Sequence, residues 1–256
     1  MNRSALALLG LLALPLTAAA QNRPLLANEP PPERLPESNF SITPYIGLRV
    51  PFNTGTEILT TEGGDQFQLS WERGGGPMAG VDVAARVHGP FHFVAGGAYS
   101  GRRDDLIFLQ TSSTTTDSLV AQGPAYWFAK AGVQVRLADP TPDNRRFHPS
   151  AFITAAPAVV FADFNDIPGF SDAANRSSHH FGLNLGVDAA ARVGRSDQWS
   201  FSVGVQDYLL FWDTDRLVAR DAEIGEALVG EPVTVAFDYG NSNVLTLRFG
   251  VSYRFR

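Results

Sequence analysis

The chain has 256 residues, with 20 Lys plus Arg against 26 Asp plus Glu, no cysteine, and a formal net charge of −6. That balance argues against a nucleic-acid partner, because phosphate binding needs clustered basic charge. The lack of cysteine excludes disulfides, thiolate metal sites, a cysteine nucleophile and a lipoprotein anchor. With 24 Gly and 18 Phe, the composition leans toward strands and turns rather than helix.

At the start of the chain, Arg3 precedes an apolar run from Ala5 to Leu16, and Thr17 to Ala20 closes it in small residues of A-x-A type. This is the layout of a cleaved secretory signal peptide, too short for a spanning helix. Residues 21–39 hold five prolines in polar company and read as an extended periplasmic lead-in. The domain plan is therefore 1–20 signal peptide, 21–39 Pro-rich lead-in and 40–256 the folded body. No later stretch approaches ~18 apolar residues.

From residue 40 onward the hydrophobic period is two. Residues 40–52 set Ile42, Ile46, Leu48 and Val50 against Thr43, Tyr45, Gly47 and Arg49. Residues 79–87 set Val81, Val83 and Val87 against Asp82 and Arg86, and residues 91–101 set Phe91, Phe93 and Tyr99 against His92, Gly96 and Ser100. Residues 127–137 alternate Trp127, Val133 and Val135 with Lys130, Gln134 and Arg136. Residues 151–161 are the weakest, with Pro157 inside them, and 181–193 oppose Phe181, Leu183, Leu185 and Val187 to Asn184, Asp188 and Arg192. Residues 199–211 start well at Trp199 and Phe201 but lose phase near Asp207, so β-bulges are expected near Pro157 and Asp207. The last segment is the clearest: Leu245, Leu247, Phe249, Val251, Tyr253 and Phe255 share one face, and Arg248 and Arg254 lie on the other.

Eight such segments of about ten residues suit a tilted crossing of a ~30 Å hydrocarbon layer. Their connections alternate short (88–90, 138–149, 194–198) and long (53–77, 102–123, 162–179, 213–242), with both termini on the short-turn side. A soluble barrel hides its apolar face, whereas in lipid the apolar face must be outermost and charges must line the interior. The polar face carries Arg49, Asp82, Arg86, Lys130, Arg136, Asp188, Arg192, Arg248 and Arg254, a lumen network of seven bases and two acids. Buried charge needs partners, so ion pairs are expected among Asp82, Asp188, Lys130 and Arg248. Aromatic girdles are expected from Phe91, Phe93, Trp199, Phe201, Tyr253 and Phe255 at one interface, and from Phe52, Tyr99, Trp127, Phe161, Phe181 and Phe211 at the other.

On these features, and on the ending Leu247-x-Phe249-x-Val251-x-Tyr253-x-Phe255, the chain resembles the OmpA/OmpX-type outer-membrane barrels over about residues 40–256. The resemblance implies an all-β, eight-stranded antiparallel up-and-down transmembrane barrel in the bacterial outer membrane, with short periplasmic turns and longer outer loops. It also implies that Phe249, Val251, Tyr253 and Phe255 form a terminal strand read by the assembly machinery, although Arg256 follows the usual final aromatic. A peptidoglycan-binding domain of the OmpA kind is not expected.

The function expected is a structural or surface-interaction role, with outer-membrane lipid and lipopolysaccharide as surroundings, a possible surface partner at the outer loops, and no cofactor, metal or nucleic acid. The alternative is a narrow anion or small-solute pore, favoured by the basic surplus of the lumen. A lipid-modifying hydrolase is a weaker third reading: Ser178 and His180 would share the inward face with Asp166 or Asp172 as acids, while His148 and Ser150 fall at the periplasmic end. The long segments together carry net −11, densest in Asp213, Asp215, Asp221, Glu223, Glu226, Glu231 and Asp238, which read as a solvated loop rather than a divalent-cation site. Residues 111–118 (TSSTTTDS) read as a flexible loop tip.

Overall fold

A computed structural model of the chain describes residues 40–111, 116–137, 147–163, 177–193, 198–211, 217–238 and 242–255. The expected signal peptide and lead-in lie outside these residues. In chain order the elements are β1 (Phe40–Arg49), β2 (Phe52–Thr61), β3 (Gln66–Arg73), β4 (Gly76–His88), β5 (Phe91–Ser100), β6 (Asp104–Thr111) and β7 (Thr116–Gln122). They continue with β8 (Ala125–Arg136), β9 (Phe147–Asp163), β10 (Ser178–Val193), β11 (Trp199–Phe211), helix α1 (Val218–Val229), β12 (Val233–Asp238) and β13 (Ser242–Phe255).

Eight strands close into an antiparallel barrel in the order β1-β13-β11-β10-β9-β8-β5-β4. Closure leaves no unpaired edge, which a strand in hydrocarbon could not tolerate. The faces are inverted relative to a soluble barrel. Ile46 is 68% exposed and Phe181 65%, whereas Asn184 on the opposite face of the same strand as Phe181 is fully buried. The exposed belt is lipid-facing, and this is a transmembrane barrel of the outer-membrane type.

The girdle aromatics take their places with one exception. Phe91, Phe93, Trp199, Phe201 and Phe255 are exposed near one end, and Tyr99, Trp127, Phe161, Phe181 and Phe211 near the other. Tyr99 packs tilted against Trp127 with ring centroids 4.5 Å apart, and Trp199 meets Tyr253 edge-on at 4.9 Å. Phe52 is instead buried in the interior cluster. The strand breaks at Val50–Pro51 and restarts in another sheet, so the alternation of β1 does not carry through to it.

The bulges expected at Pro157 and Asp207 are absent from the ladders. The β9–β10 register runs unbroken from Ser178↔Ala162 to Val193↔Phe147, and the β10–β11 register from Phe181↔Phe211 to Val193↔Trp199. Pro157 stands on the outward face of β9. Asp207 also takes an outward position, and the phase looks lost only because the inward positions beside it, Tyr208 and Leu210, are apolar and buried.

The long outer segments are more ordered than loops. The β1/β4 hairpin continues outward as β2/β3 and the β5/β8 hairpin as β6/β7, forming a five-stranded sheet in the order β12-β2-β3-β6-β7. At the corner between the two sheets, a Cβ on Gly74 would meet the Asp104 carbonyl oxygen at 2.2 Å, so only glycine lets the strands cross. Of the segment read as a flexible tip, Thr111 ends β6 and Thr116 to Ser118 open β7, while residues 112–115 lie outside the described residues. Helix α1 packs Ile224 and Leu228 onto the sheet's buried face beside Leu59, Leu69 and Ile107. Gly230 ends the helix in the left-handed conformation (φ 86°), its N–H donating to the Glu226 carbonyl.

The lipid-facing assignment sets a direct test. Val205 pairs with Val187 and Leu247 in the middle of the belt. Val205→Arg should cost ~2–4 kcal/mol of folding free energy in lipid vesicles, measured by urea titration of tryptophan fluorescence.

Candidate functional site: the barrel lumen

A charge inside a barrel of this size has no bulk water to lean on, so its partners decide whether it can be there. Asp82 on β4, Lys130 on β8, Asp188 on β10 and Arg248 on β13 occupy every second strand around the ring, acid and base alternating. The Arg248 guanidinium reaches both carboxylates: its Nε donates to Asp188 Oδ1 at 2.7 Å, Nη2 pairs with Asp188 Oδ2, and Nη1 pairs with Asp82 Oδ2. Lys130 Nζ lies 3.1 Å from Asp82 Oδ2 and donates to Gln206 Oε1 at 2.6 Å. The four formal charges cancel.

Room for this brace comes from glycines on the neighbouring strands. A Cβ on Gly96 would lie 1.9 Å from Asp82 Oδ1, and one on Gly204 would lie 1.8 Å from Asp188 Oδ1. Either methyl would displace the carboxylate that the cations need.

Outward of the brace the filling is largely apolar, with Asn184, Ser178 and His180 buried beside it. Tyr45, Met78, Phe128, Val160, Tyr208, Leu210 and Val244 form one buried cluster with Phe52 and Leu217. Phe128 and Tyr208 meet at 4.8 Å between centroids. Above it Arg49 stacks on Tyr126 at 4.4 Å and donates from Nε to the Ser100 hydroxyl at 3.2 Å.

The remaining lumen bases lie on the periplasmic side. Arg136 Nη2 sits 3.2 Å from His92 Nε2, and Arg86 Nε donates to the Gly89 carbonyl at 3.1 Å. Arg192 and Arg254 are at the same end, in β10 and β13. The nine residues expected as one network are thus three separate groups: the brace, Arg49 at the outer mouth, and Arg86, Arg136, Arg192 and Arg254 below. Phe249, Val251, Tyr253 and Phe255 line the outward face of β13, which closes the ring against β1.

A second charged cluster was not anticipated from the sequence. In the outer sheet, Arg73 Nη1 donates to Asp105 Oδ2 at 2.7 Å, and the Gly74 N–H donates to Asp105 Oδ1 at 3.0 Å. Two guanidinium groups lie over the Trp71 ring, Arg73 at 4.4 Å and Arg220 at 5.1 Å. Arg220 and Asp221, expected to be part of a solvated loop, are fully buried and 4.0 Å apart. The helix brings them inside: Leu217, Arg220, Asp221, Ile224 and Leu228 recur at three- and four-residue spacing on one face. That spacing, and the alternation of Phe67, Leu69, Trp71 and Arg73, were the available signals. Burial raises the Asp221 carboxyl to about 6 despite the neighbouring Arg220, and burial lowers Arg220 to about 10.

The Ser178 hydroxyl lies 2.8 Å from His180 Nε2, and both side chains are buried on the inward face of β10. Asp166 and Asp172 lie outside the described residues, as does the His148 side chain, while Ser150 is buried at the periplasmic end of β9. Among the described residues no group of three or more His, Asp or Glu is placed to hold a metal ion.

No protein-family model and no curated sequence matches the chain. Among solved structures, the outer-membrane protein OprG from Pseudomonas aeruginosa is similar with a TM-score of 0.50 at 10% identity, over 86% of this chain and 96% of that one. AlkL, solved in lipid bilayers, gives a TM-score of 0.47 at 14% identity over 90% and 97% of the two chains. Neisserial surface protein A gives 0.40 at 10% identity over 85% and 98%. The likeness to OprG is one of fold: this chain has the architecture of the small outer-membrane barrels.

Two outcomes follow from the buried charges. Asp188→Ala strands Arg248 between fewer acceptors and should cost ~3–5 kcal/mol in urea unfolding, while Asp188→Ala with Arg248→Met should recover most of the loss, because Asp82 keeps Lys130. In the outer sheet the folded state holds the Asp221 proton more tightly than the unfolded chain does, where the carboxyl titrates near 3.8. This group's contribution is therefore fully present below about pH 4 and is lost as pH rises through about 6. Hydrogen exchange of the α1 amides, corrected for intrinsic rates, should show that loss of protection, and Asp221→Asn should flatten it.

Proposed function

We propose that this outer-membrane barrel has a structural or surface-interaction role and does not conduct solutes. The observation that carries the reading is the stratified lumen: a neutral four-charge brace with a plug of aromatic and aliphatic side chains directly above it. The basic surplus that favours an anion pore is split between the two ends, with Arg49 outside and four arginines on the periplasmic side. A permeant anion would have to part the brace and then cross the apolar layer.

The folded outer sheet supports the surface reading. Ile58, Leu106 and Val120 are exposed on it, at the level where lipopolysaccharide or a surface partner would be met. The aromatic outward face of β13 supports assembly by the outer-membrane machinery. The reading is non-enzymatic, since the Ser178–His180 pair faces the packed interior and away from lipid. Lipid A from cells carrying wild type or Ser178→Ala should give identical mass spectra.

Purified protein in planar bilayers should give no stepwise current. Ion-sized conductance steps in wild type that change with Arg248→Ala would establish the pore instead.

A further inference from the structure

Between the two aromatic girdles the outward wall of the barrel is apolar with one exception. Every second residue of the eight barrel strands faces lipid, and among the described residues Asp207 is the one polar side chain in that set between the girdles. Gln206 and Tyr208 on either side of it are buried in the lumen, so the alternation of β11 turns Asp207 outward. The ladder sets it between Leu185 on β10 and Leu245 on β13, with Leu209 above it and Val205 below it on its own strand. Phe211 of the outer girdle is four residues along, which puts Asp207 roughly 10 Å into the layer for a strand tilted by about 40°.

The Oδ1 atom of Asp207 is shielded and has no hydrogen-bond partner. An ionisable group at that depth is costly unless something bonds it. No Lys or Arg stands on the described lipid-facing wall between the girdles, so a second copy of the chain has no cation to offer there. It can offer Asp207. Two copies in one membrane share an orientation, so a two-fold axis relating them runs along the membrane normal and brings equal depths face to face. A carboxyl that carries its proton has both an O–H donor and a carbonyl acceptor, which makes it complementary to itself. The reach also fits. Sheets packed face to face sit about 10 Å apart, and an aspartate carboxyl extends roughly 3.5 Å beyond its Cα. That leaves about 3 Å between the two sets of oxygens, the length of a hydrogen bond.

We propose that the wall formed by β10, β11 and β13 is a dimerisation face for a second copy of this chain, with the two Asp207 carboxyls hydrogen-bonded across the two-fold axis and Leu185, Leu209 and Leu245 packed around them. In lipid, apolar surfaces gain little by meeting, and polar side chains that bond across the contact supply the specificity. The interface lies on the outside of the barrel and is independent of what fills the lumen.

Because the chain has no cysteine, single introduced cysteines report the contact directly. Protein refolded into lipid vesicles, part labelled with a donor dye and part with an acceptor at Gln68→Cys on the exposed face of the outer sheet, tests association by energy transfer as lipid is added. Wild type should associate, and Asp207→Leu should weaken association by about tenfold or more. Asp207→Asn should keep it, since an amide is also both donor and acceptor. Asp207→Leu places an aliphatic side chain against lipid, so that variant should fold, as heat-dependent gel mobility checks. A short bis-maleimide should join copies carrying Leu185→Cys and not copies carrying Ala95→Cys on β5, across the ring. Wild type that stays monomeric, association unchanged by Asp207→Leu, or cross-linking through Ala95→Cys as efficient as through Leu185→Cys overturns the proposal. Loss of association in Asp207→Asn overturns it as well, assigning Asp207 to an ion pair rather than to a self-complementary bond.

Discussion

The Arg248 guanidinium, held between two carboxylates from opposite sides of the ring, is the contact on which the rest of the interior depends. Lipid outside the barrel favours polar side chains on the inward face, and a bore of eight strands is too narrow to hydrate isolated charges. The charges must therefore solve their own desolvation. Placing acid and base alternately on every second strand does so with four residues and no net charge. The same contacts tie β4, β8, β10 and β13 together across the lumen, adding cross-links to the ladders between neighbouring strands.

The brace also divides the molecule into levels. Above it, apolar rings fill much of the tube, and the outer sheet has a separate apolar cluster of its own, with buried charges gathered around Trp71. Below it, the wall is basic and hydroxyl-lined. The folded sheet and helix lie on the outside, and a small polar cavity below the brace faces the periplasmic end. The outer sheet grows from the same hairpins as the barrel, so the surface is held by the membrane-spanning strands themselves rather than by a flexible tether.

Much of this was legible in period two. Wherever one face of a strand meets lipid and the other meets the lumen, the alternation is enforced residue by residue, and Phe181 to Val193 or Leu245 to Phe255 can be read without coordinates. Where the lumen itself turns apolar, the code fails. Tyr208 and Leu210 point inward and Asp207 outward, so the strand looks out of phase although its ladder is regular. Phe52 was misplaced for a related reason, since Pro51 interrupts the strand and resets its faces.

The sequence by itself determined the barrel, its inversion and the identity of the charges that had to be inside, because those follow from local alternation and the cost of charge in lipid. Mid-strand depth singled out Asp82, Lys130, Asp188 and Arg248 as partners, and only the tertiary structure decided which acid each base reaches. Depth along a tilted strand, and the partner across the bore, depend on stagger between segments far apart in the chain. It also took the folded state to turn an acidic outer segment into a helix with Arg220 and Asp221 buried, because their burial depends on β2, β3 and β12 assembling beneath them, and no window of that segment alone contains those strands.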